Sequence, residues 1–214
     1  MEALDGAHAG WGVASLPLPG ETESGDSYVV KPHGTHVLIA VIDALGHGHE
    51  AAQAARVATA ALSAYANEAV DFLLRQCNAL MRETRGAAIS LGLLDTRQST
   101  LTWLGVGNVT GALVRADPKL HPRVKRMMVR SGVVGSQLPD LQPSVIQIAP
   151  GDTLILATDG VSSDFTETLP DVLDPQPLAD RILQGYATNN DDALVLIFPF
   201  GAALDKSDSS DGQG

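Results

Sequence analysis

The sequence predicts an α+β protein, a layered α-β-β-α sandwich with two mainly antiparallel sheets flanked by helices. Strand-like runs fall into two groups, one before residue 44 and one after residue 86, with helices between and after them. Pro, Gly, Ser and Asp mark short turns between successive runs, which is typical of antiparallel pairing. This grouping argues against a parallel sheet built from alternating βαβ units.

Apolar periodicity predicts the first strands and two helices. Three short strands span about residues 11–16, 27–31 and 36–43. Ala-rich helix formers follow from about residue 49 to residue 84, with apolar side chains at helical spacing. We expect the two helices to form one antiparallel layer. Its inward faces are predicted to carry Ala54, Val57, Ala58, Ala61, Leu62 and Tyr65, then Phe72, Leu73, Cys77 and Leu80.

The second group of strands is longer and ends with a helix and a last strand. Trp11 and Trp103 are expected in the core, and a helical turn is predicted at about residues 161–165. A helix is predicted at about residues 177–186. The strands are predicted at 87–95, 99–107, 109–116, 126–131, 144–149, 152–159 and 193–200.

Length and charge indicate one acidic domain. The 214 residues suffice for one sizeable core, so we predict a single domain at residues 1–202 and a disordered polar tail at 203–214. The net charge of −11 argues against a nucleic-acid surface, which needs clustered Lys and Arg. One basic cluster at residues 119–130 is the exception. It is either a solvated loop and strand edge or a docking patch for an acidic partner.

Cysteine usage and hydropathy indicate the compartment. A single cysteine, Cys77, excludes an internal disulfide and fits a reducing environment. No apolar run approaches the roughly 18 residues that a spanning helix needs, and the N-terminus lacks the pattern of a secretory signal. We therefore expect a cytoplasmic protein without membrane binding.

Aspartates recur beside the predicted strands. Asp43 ends one apolar run and Asp159 follows another, so the two are expected to share a site. Asp26 precedes a strand-like run, and the adjacent pair at residues 191–192 precedes the last strand. Carboxylate oxygens are the ligands that Mg²⁺ and Mn²⁺ prefer. The pattern suggests an all-oxygen binuclear metal site, and no matched Cys/His spacing indicates zinc.

The glycine-bearing loop after Asp43 leads into a helix. Backbone N–H groups and the helix dipole could bind a phosphate at Gly46 and Gly48, although these glycines could equally serve only the strand-to-helix turn. His47 between them either holds the loop by hydrogen bonding or donates a proton to a leaving group. The other glycine-rich run, at 105–111, is rejected as a dinucleotide loop because a strand follows it.

A family resemblance emerges from several of these segments in order. DALGHG with its following helix, GVGNVTGALVR, SGVVG, APGDTLILATDGV and DDALVLIF resemble successive motifs of the metal-dependent phosphatase-2C superfamily, in its SpoIIE/RsbU/RsbX branch. The resemblance runs from about Gly10 to Pro199. It implies a β-sandwich between helical layers, with two divalent metal ions, Mn or Mg, at one end of the sheets.

The resemblance also implies roles for single residues. Asp43 would bridge both metals and the carbonyl of Ala44 would be a further ligand, with Asp159 and Asp191 on one metal and Asp26 on the other. A metal-activated water would attack phosphorus without a covalent enzyme intermediate. Asp192 remains the alternative to Asp191, which the motif register favours.

Two positions depart from the commonest pattern of the family. Ala44 stands where glycine is frequent, which keeps the carbonyl group and adds a methyl group. Leu194 stands where a threonine is frequent, which removes a hydroxyl that could orient a carboxylate. The second change is expected to weaken metal affinity.

Within the branch, a catalytic domain without an attached sensor most resembles the RsbX type. That resemblance implies a monomeric serine/threonine phosphatase acting on phosphorylated STAS-domain proteins of a stressosome, with no nucleic-acid partner. Two alternatives stay open. They are an anti-anti-sigma-factor phosphatase and a pseudophosphatase that binds phosphoproteins without turnover. A sandwich whose aspartates only cap turns would explain each position singly, but it does not explain all the motifs in order.

Overall fold

The computed structural model of the chain describes residues 10–170 and 174–201. The tail predicted at 203–214 lies outside the described residues. The described α-helices are α1 (Gly48–Ala64), α2 (Val70–Leu80) and α3 (Pro175–Tyr186), and a 3-10 helix spans Ser163–Glu167. The strands are β1 (Gly12–Leu16), β2 (Asp26–His33), β3 (His36–Ala44), β4 (Ala87–Asp95), β5 (Thr100–Val106), β6 (Thr110–Val114), β7 (Val124–Arg126), β8 (Ser144–Gln147), β9 (Thr153–Ala157) and β10 (Ala193–Pro199).

The strands form two antiparallel sheets of five strands each among the described residues. Sheet I has the order β2-β3-β4-β5-β8, and sheet II has the order β1-β10-β9-β6-β7. Strands β2 to β5 follow one another as hairpins, whereas β1 and β10 pair across the whole length of the chain. The predicted α+β class with two mainly antiparallel sheets is confirmed.

The apolar core consists of three clusters, one between α1, α2 and sheet I, one between the two sheets, and one between sheet II and α3. The central strands are apolar throughout because they contact two of these clusters. In β3, Val37, Ile39 and Val41 face sheet II, and the alternate residues face the helices α1 and α2. In β10, alternate residues face sheet I and α3. Successive side chains of a strand point to opposite faces, so a strand buried on both faces has no polar alternation. Each sheet therefore has one face on the other sheet and one face on a helical layer.

The helical faces differ from the prediction at three positions. Tyr65 is 37% exposed beyond the end of α1, and Phe72 is 38% exposed on α2. Leu80 is 53% exposed because it lies at the last residue of α2 and at the margin of the buried stripe. The predicted burial of these three side chains is wrong. The residues of α2 that face sheet I are Val70, Leu73, Leu74 and Cys77.

The strand predicted at 126–131 is also wrong in extent. The strand β7 ends at Arg126, and the chain then leaves sheet II for sheet I. The amide of Met127 still donates to the carbonyl of Gly111 beside β6, whereas the amide of Arg130 donates to the carbonyl of Gly105 in β5. One extended segment thus closes the side of the sandwich by contacting both sheets.

We expect Leu74→Ala and Leu80→Ala to affect stability very differently. Leu74 is fully buried against sheet I, so its truncation leaves a cavity and should lower the free energy of unfolding by about 2–5 kcal/mol. Leu80 is largely exposed, and its truncation should cost less than about 1 kcal/mol. Urea denaturation of the two variants measures both values. Equal losses would contradict the orientation of α2.

Candidate functional site

Antiparallel pairing brings two of the predicted ligand residues face to face. Asp26 opens β2, and the register of the β2–β3 hairpin places it directly opposite Asp43 near the end of β3. Directly opposed residues have Cβ atoms about 4.5–5.5 Å apart and lie on the same face of the sheet. Sheet I therefore contributes two adjacent carboxylates at one end.

The other two predicted carboxylates come from sheet II. Asp159 follows β9 and Asp191 precedes β10, which is the neighbour of β9 in the sheet. The charges of both residues act on Asp43, and the charge of Asp191 acts on Asp26 as well. The fold thus brings Asp26, Asp43, Asp159 and Asp191 to the same end of the sandwich.

Burial and mutual repulsion raise the pKa values of these carboxyl groups. Burial is the larger cause for Asp26, whose pKa is raised to about 8, and the charge of Asp43 adds to it. Burial, followed by the charge of Asp159, raises the pKa of Asp43 to about 7. The pKa of Asp159 is also raised, by burial and then by the charge of Asp191. Near neutral pH Asp26 and a fraction of Asp43 retain protons unless a positive charge is supplied.

One carboxylate oxygen of Asp43 lacks a hydrogen-bond partner among the described residues. This atom, Oδ2, is buried. An all-oxygen donor set of this kind suits a hard divalent cation, which would also relieve the repulsion. Within residues 10–170 and 174–201, no three His, Cys, Asp or Glu side chains already stand in a metal-binding arrangement. The carboxylates therefore fit a divalent ion in their chemistry, and binding would draw them together.

Thr158 adds a hydroxyl to the site. Its Oγ1 donates to Asp26 Oδ2 at 2.7 Å and accepts the backbone N–H of Leu194 at 2.8 Å. The side chain of Leu194 is buried between the two sheets. The orienting hydroxyl thus comes from the residue that precedes Asp159, and the hydrogen bond joins sheet II to sheet I.

The adjacent residues Asp191 and Asp192 have different roles. Asp192 is 3% exposed, and its two carboxylate oxygens accept the backbone N–H groups of Leu18 and Gly25, each at 2.7 Å. Asp191 is half-buried, and its Oδ1 accepts the N–H of Asp192 at 2.9 Å. Because both oxygens of Asp192 hold the loop before β2, Asp191 is the member available to a ligand.

Ala44 is accommodated in the core. Its N–H donates to the carbonyl of Gly25 at 3.1 Å, and the residue is 2% exposed in the cluster between sheet I and the helices. The methyl group that replaces hydrogen at this position therefore has a buried place. The predicted use of the Ala44 carbonyl as a ligand remains a prediction.

The loop after β3 needs glycine at two positions. Gly46 and Gly48 have φ values of +81° and +71°, which L side chains rarely adopt. A Cβ atom would lie 2.5 Å from the Arg85 guanidinium at Gly46 and 2.9 Å from the Glu21 carboxylate at Gly48. Turn geometry is thus enough to explain both glycines. A phosphate at Gly48 would have to displace the Glu21 carboxylate.

His47 lies at the start of α1 with an exposed ring. Its Nδ1 lies 2.8 Å from Glu21 Oε1, so the imidazole and this carboxylate hold the loop to the segment before β2. On the far side of the loop, Arg85 forms an ion pair with Glu50 in the first turn of α1. The ring of His47 is therefore oriented and accessible.

Two residues of the site were not identified from the sequence. Asn108 donates from Nδ2 to Asp159 Oδ2 at 2.5 Å, and Thr158 binds Asp26. A polar residue at a strand end, as in GVGNVTG and LATDG, was the available signal. The signal was weak because such residues usually serve turns.

Known proteins resemble the chain over most of its length. Residues 33–200 match the family model of Stage II sporulation protein E (SpoIIE). The chain is 26% identical over 187 residues to phosphoserine phosphatase RsbX of Bacillus subtilis (strain 168), which covers 86% of this chain and 91% of RsbX.

Solved structures share the fold. A chain from work on the bacterial stressosome, a modular system adapted to control secondary messenger signaling, has a TM-score of 0.78 at 26% identity and covers 87% of this chain and 96% of its own. RsbX in complex with magnesium has a TM-score of 0.75 at 24% identity, with 86% and 92% covered. The chain belongs to the SpoIIE family and is a protein serine/threonine phosphatase.

Proposed function

We propose that the chain is a metal-dependent phosphatase that removes phosphate from serine or threonine in STAS-domain proteins of a stressosome. The observation that carries the metal dependence is the buried, unpartnered Oδ2 of Asp43 among carboxylates that raise one another's pKa. Mn²⁺ or Mg²⁺ is the proposed cofactor, as two ions. The magnesium in the similar RsbX structure supports this choice.

Five oxygen donors are proposed to hold the ions. Asp43 would bridge them with the carbonyl of Ala44 beside it, and Asp159 and Asp191 from sheet II would face Asp26 from sheet I. Two bound ions would activate a water for in-line attack on phosphorus and neutralise the phosphoryl oxygens. The geometry of these ligands is supported by the hydrogen bonds of Thr158 to Asp26 and Asn108 to Asp159.

The chain's own groups would position the phosphoester and handle the leaving group. His47 is proposed to donate a proton from Nε2 to the departing serine or threonine oxygen. Nε2 is the ring nitrogen assigned this role because Nδ1 is already engaged with Glu21. The backbone at Gly46 and Gly48 is proposed to bind phosphoryl oxygens once the Glu21 carboxylate moves aside. The rigid turn at these glycines would keep the loop in place.

The substrate class is supported by similarity. RsbX is a phosphoserine phosphatase, and a similar chain comes from stressosome work. Both matches cover at least 86% of this chain. We propose a monomer in the cytoplasm, in keeping with the free, buried Cys77. Among the described helices, none has both the length and the apolar character required to cross a bilayer.

Activity is tested by phosphate release from phosphorylated STAS-domain proteins with and without Mn²⁺. We expect metal-dependent release that Asp43→Asn lowers by at least about 100-fold, because the variant loses charge at the bridging position. Circular dichroism should show that the variant keeps its fold. Release by Asp43→Asn at the wild-type rate would contradict the bridging role, and tight binding without release by the wild type would favour a pseudophosphatase.

Asp191→Asn and Asp192→Asn should separate a ligand from a structural carboxylate. Asp191→Asn should weaken Mn²⁺ binding at least about tenfold and leave metal-free stability unchanged or higher, since it removes repulsion. Asp192→Asn places an amide donor against a backbone N–H and should lower the free energy of unfolding by about 1.5–3 kcal/mol. Calorimetric metal titration and urea denaturation measure the two effects. A reversed pattern would assign the ligand to Asp192.

The metal-free protein should lose stability as pH rises from about 5 to 8.5. The folded pKa values of Asp26 and Asp43 are about 8 and 7, well above the ordinary value near 3.9, so the folded state binds more protons in this window. Stability is then fully present below the unfolded pKa and is lost as pH rises through the folded values. We expect a decrease of at least about 1.4 kcal/mol, the equivalent of one pKa unit. Denaturation in a chelator should show a smaller decrease for Asp43→Asn.

A further inference from the structure

A groove lies where the edges of the two sheets meet. Strand β7 is the edge of sheet II and β8 is the edge of sheet I, and the segment that follows β7 crosses between the sheets. Between these edges lies a cavity of about 650 Å³, which we call the edge groove. Its lining includes Lys125, Arg126, Met128, Arg130 and Val145.

The edge groove exposes apolar side chains. Met128 is 85% exposed and Val145 is 68% exposed, the two largest exposures among the large hydrophobic residues that the structure describes. The backbone of Met128 is nevertheless fixed, because its carbonyl accepts the indole N–H of Trp103 at 2.8 Å. Exposed apolar side chains that line one cavity together are typical of a surface that a partner covers.

The edge groove also carries uncompensated positive charge. Arg126 donates to the hydroxyl of Thr166 and Arg130 donates to the amide oxygen of Gln142, both of which are neutral partners. None of the ion pairs found among the described residues includes Lys125, Arg126 or Arg130. Arg115, by contrast, is neutralised by the buried carboxylate of Asp152.

The rest of the chain makes this charge distinctive. Lys and Arg number 14 against 25 Asp and Glu, yet six of the 14 lie in residues 115–130, which contain one acidic residue, Asp117. An acidic partner is repelled by most of the surface and attracted here. Asp140, which follows the lining residue Pro139, accepts a hydrogen bond from the neutral amide of Gln142, and no ion pair among the described residues joins it to Lys125, Arg126 or Arg130.

Hydrogen bonds connect the edge groove to the site. The amide of Gly107 donates to the carbonyl of Arg130, and the next residue, Asn108, donates to Asp159. Five residues separate Lys125 from Arg130, which allows a span of at most about 17 Å at roughly 3.3 Å per residue. A segment that lies in the groove could therefore belong to the same protein that presents its phosphoserine to the aspartates.

We propose that the edge groove binds an extended acidic segment of the phosphoprotein substrate, with an apolar side chain of that segment seated between Met128 and Val145. The assignment to the substrate rests on the proposed phosphatase function. Binding of the acidic segment itself does not, because it needs neither metal nor turnover.

Fluorescence anisotropy tests the binding step with the full chain in chelator. The probes are a labelled unphosphorylated peptide with four Glu residues around one Leu and its counterpart with four Gln residues. We expect the Glu peptide to bind at least about tenfold more tightly at 50 mM salt and the difference to shrink at 300 mM salt. Equal binding of the two peptides would overturn the proposal.

Variants locate the binding surface. Lys125→Glu should weaken binding of the Glu peptide at least about tenfold, and Met128→Ser about threefold or more. The matched controls are Lys119→Glu, a charge reversal in the same basic cluster away from the groove, and Leu80→Ser, an exposed apolar residue on α2. If Lys119→Glu weakens binding as much as Lys125→Glu, the attraction is general and the groove is not the site. Lys125→Gln serves in place of Lys125→Glu should the latter misfold.

Kinetics connect the groove to the substrate. With phosphoserine added about six residues before or after the Glu cluster, Lys125→Glu should raise KM at least about tenfold for one of the two peptides. It should leave kcat and the hydrolysis of p-nitrophenyl phosphate unchanged. An unchanged KM for both phosphopeptides would overturn the assignment to the substrate. Absent hydrolysis of every phosphoester by the wild type would instead reject the phosphatase function and leave the anisotropy result standing.

Discussion

Repulsion among neighbouring carboxylates is the constraint on which the arrangement of this protein depends. Asp26 and Asp43 are opposed on sheet I, and burial together with the charges from sheet II favours their protonated forms. Apolar packing cannot compensate a buried charge, so each carboxylate needs a fixed donor or a cation. Thr158 and Asn108 supply donors to two of them, and the unpartnered oxygen of Asp43 is left for a cation. The same features that destabilise the free carboxylates prepare them for a divalent ion.

The layered core makes this confinement possible. Sheet I is covered by α1 and α2, sheet II by α3, and the two sheets are packed on each other. The strand ends are therefore held at fixed positions by apolar contacts on both faces of each sheet. The carboxylate of Asp192 adds a polar tie, because its two backbone hydrogen bonds fix the loop that leads into β2. The carboxylate of Asp192 thus stabilises the fold, whereas the neighbouring carboxylate of Asp191 is available to a ligand.

Charge is distributed unevenly over the molecule. The four aspartates of the site lie at one end of the sandwich, and six of the 14 Lys and Arg residues lie in residues 115–130. Backbone and side-chain hydrogen bonds at Gly107 and Asn108 join the two regions. The sequence left the basic cluster open as either a solvated loop or a docking patch. The structure adds that a segment of this cluster crosses between the sheets beside exposed apolar side chains, which a solvated loop does not require. Within the cluster, Arg123 donates to the carbonyl of Pro170, and Arg115, which precedes the cluster, pairs with Asp152, so both guanidinium groups bind within the protein.

The sequence by itself determined the α+β class, most strands and the aspartates at the ends of β3 and β9, because apolar periodicity and turn residues are local signals. Only the tertiary structure decided what depends on contacts between distant segments. It placed the hydroxyl of Thr158 on Asp26 across the two sheets, and it assigned Asp192 to backbone amides far along the chain. It also divided the strand predicted at 126–131 between two sheets. Contacts between distant segments set the sheet order, the register and the exposure of a helix end. The local spacing of residues carries little information about these contacts.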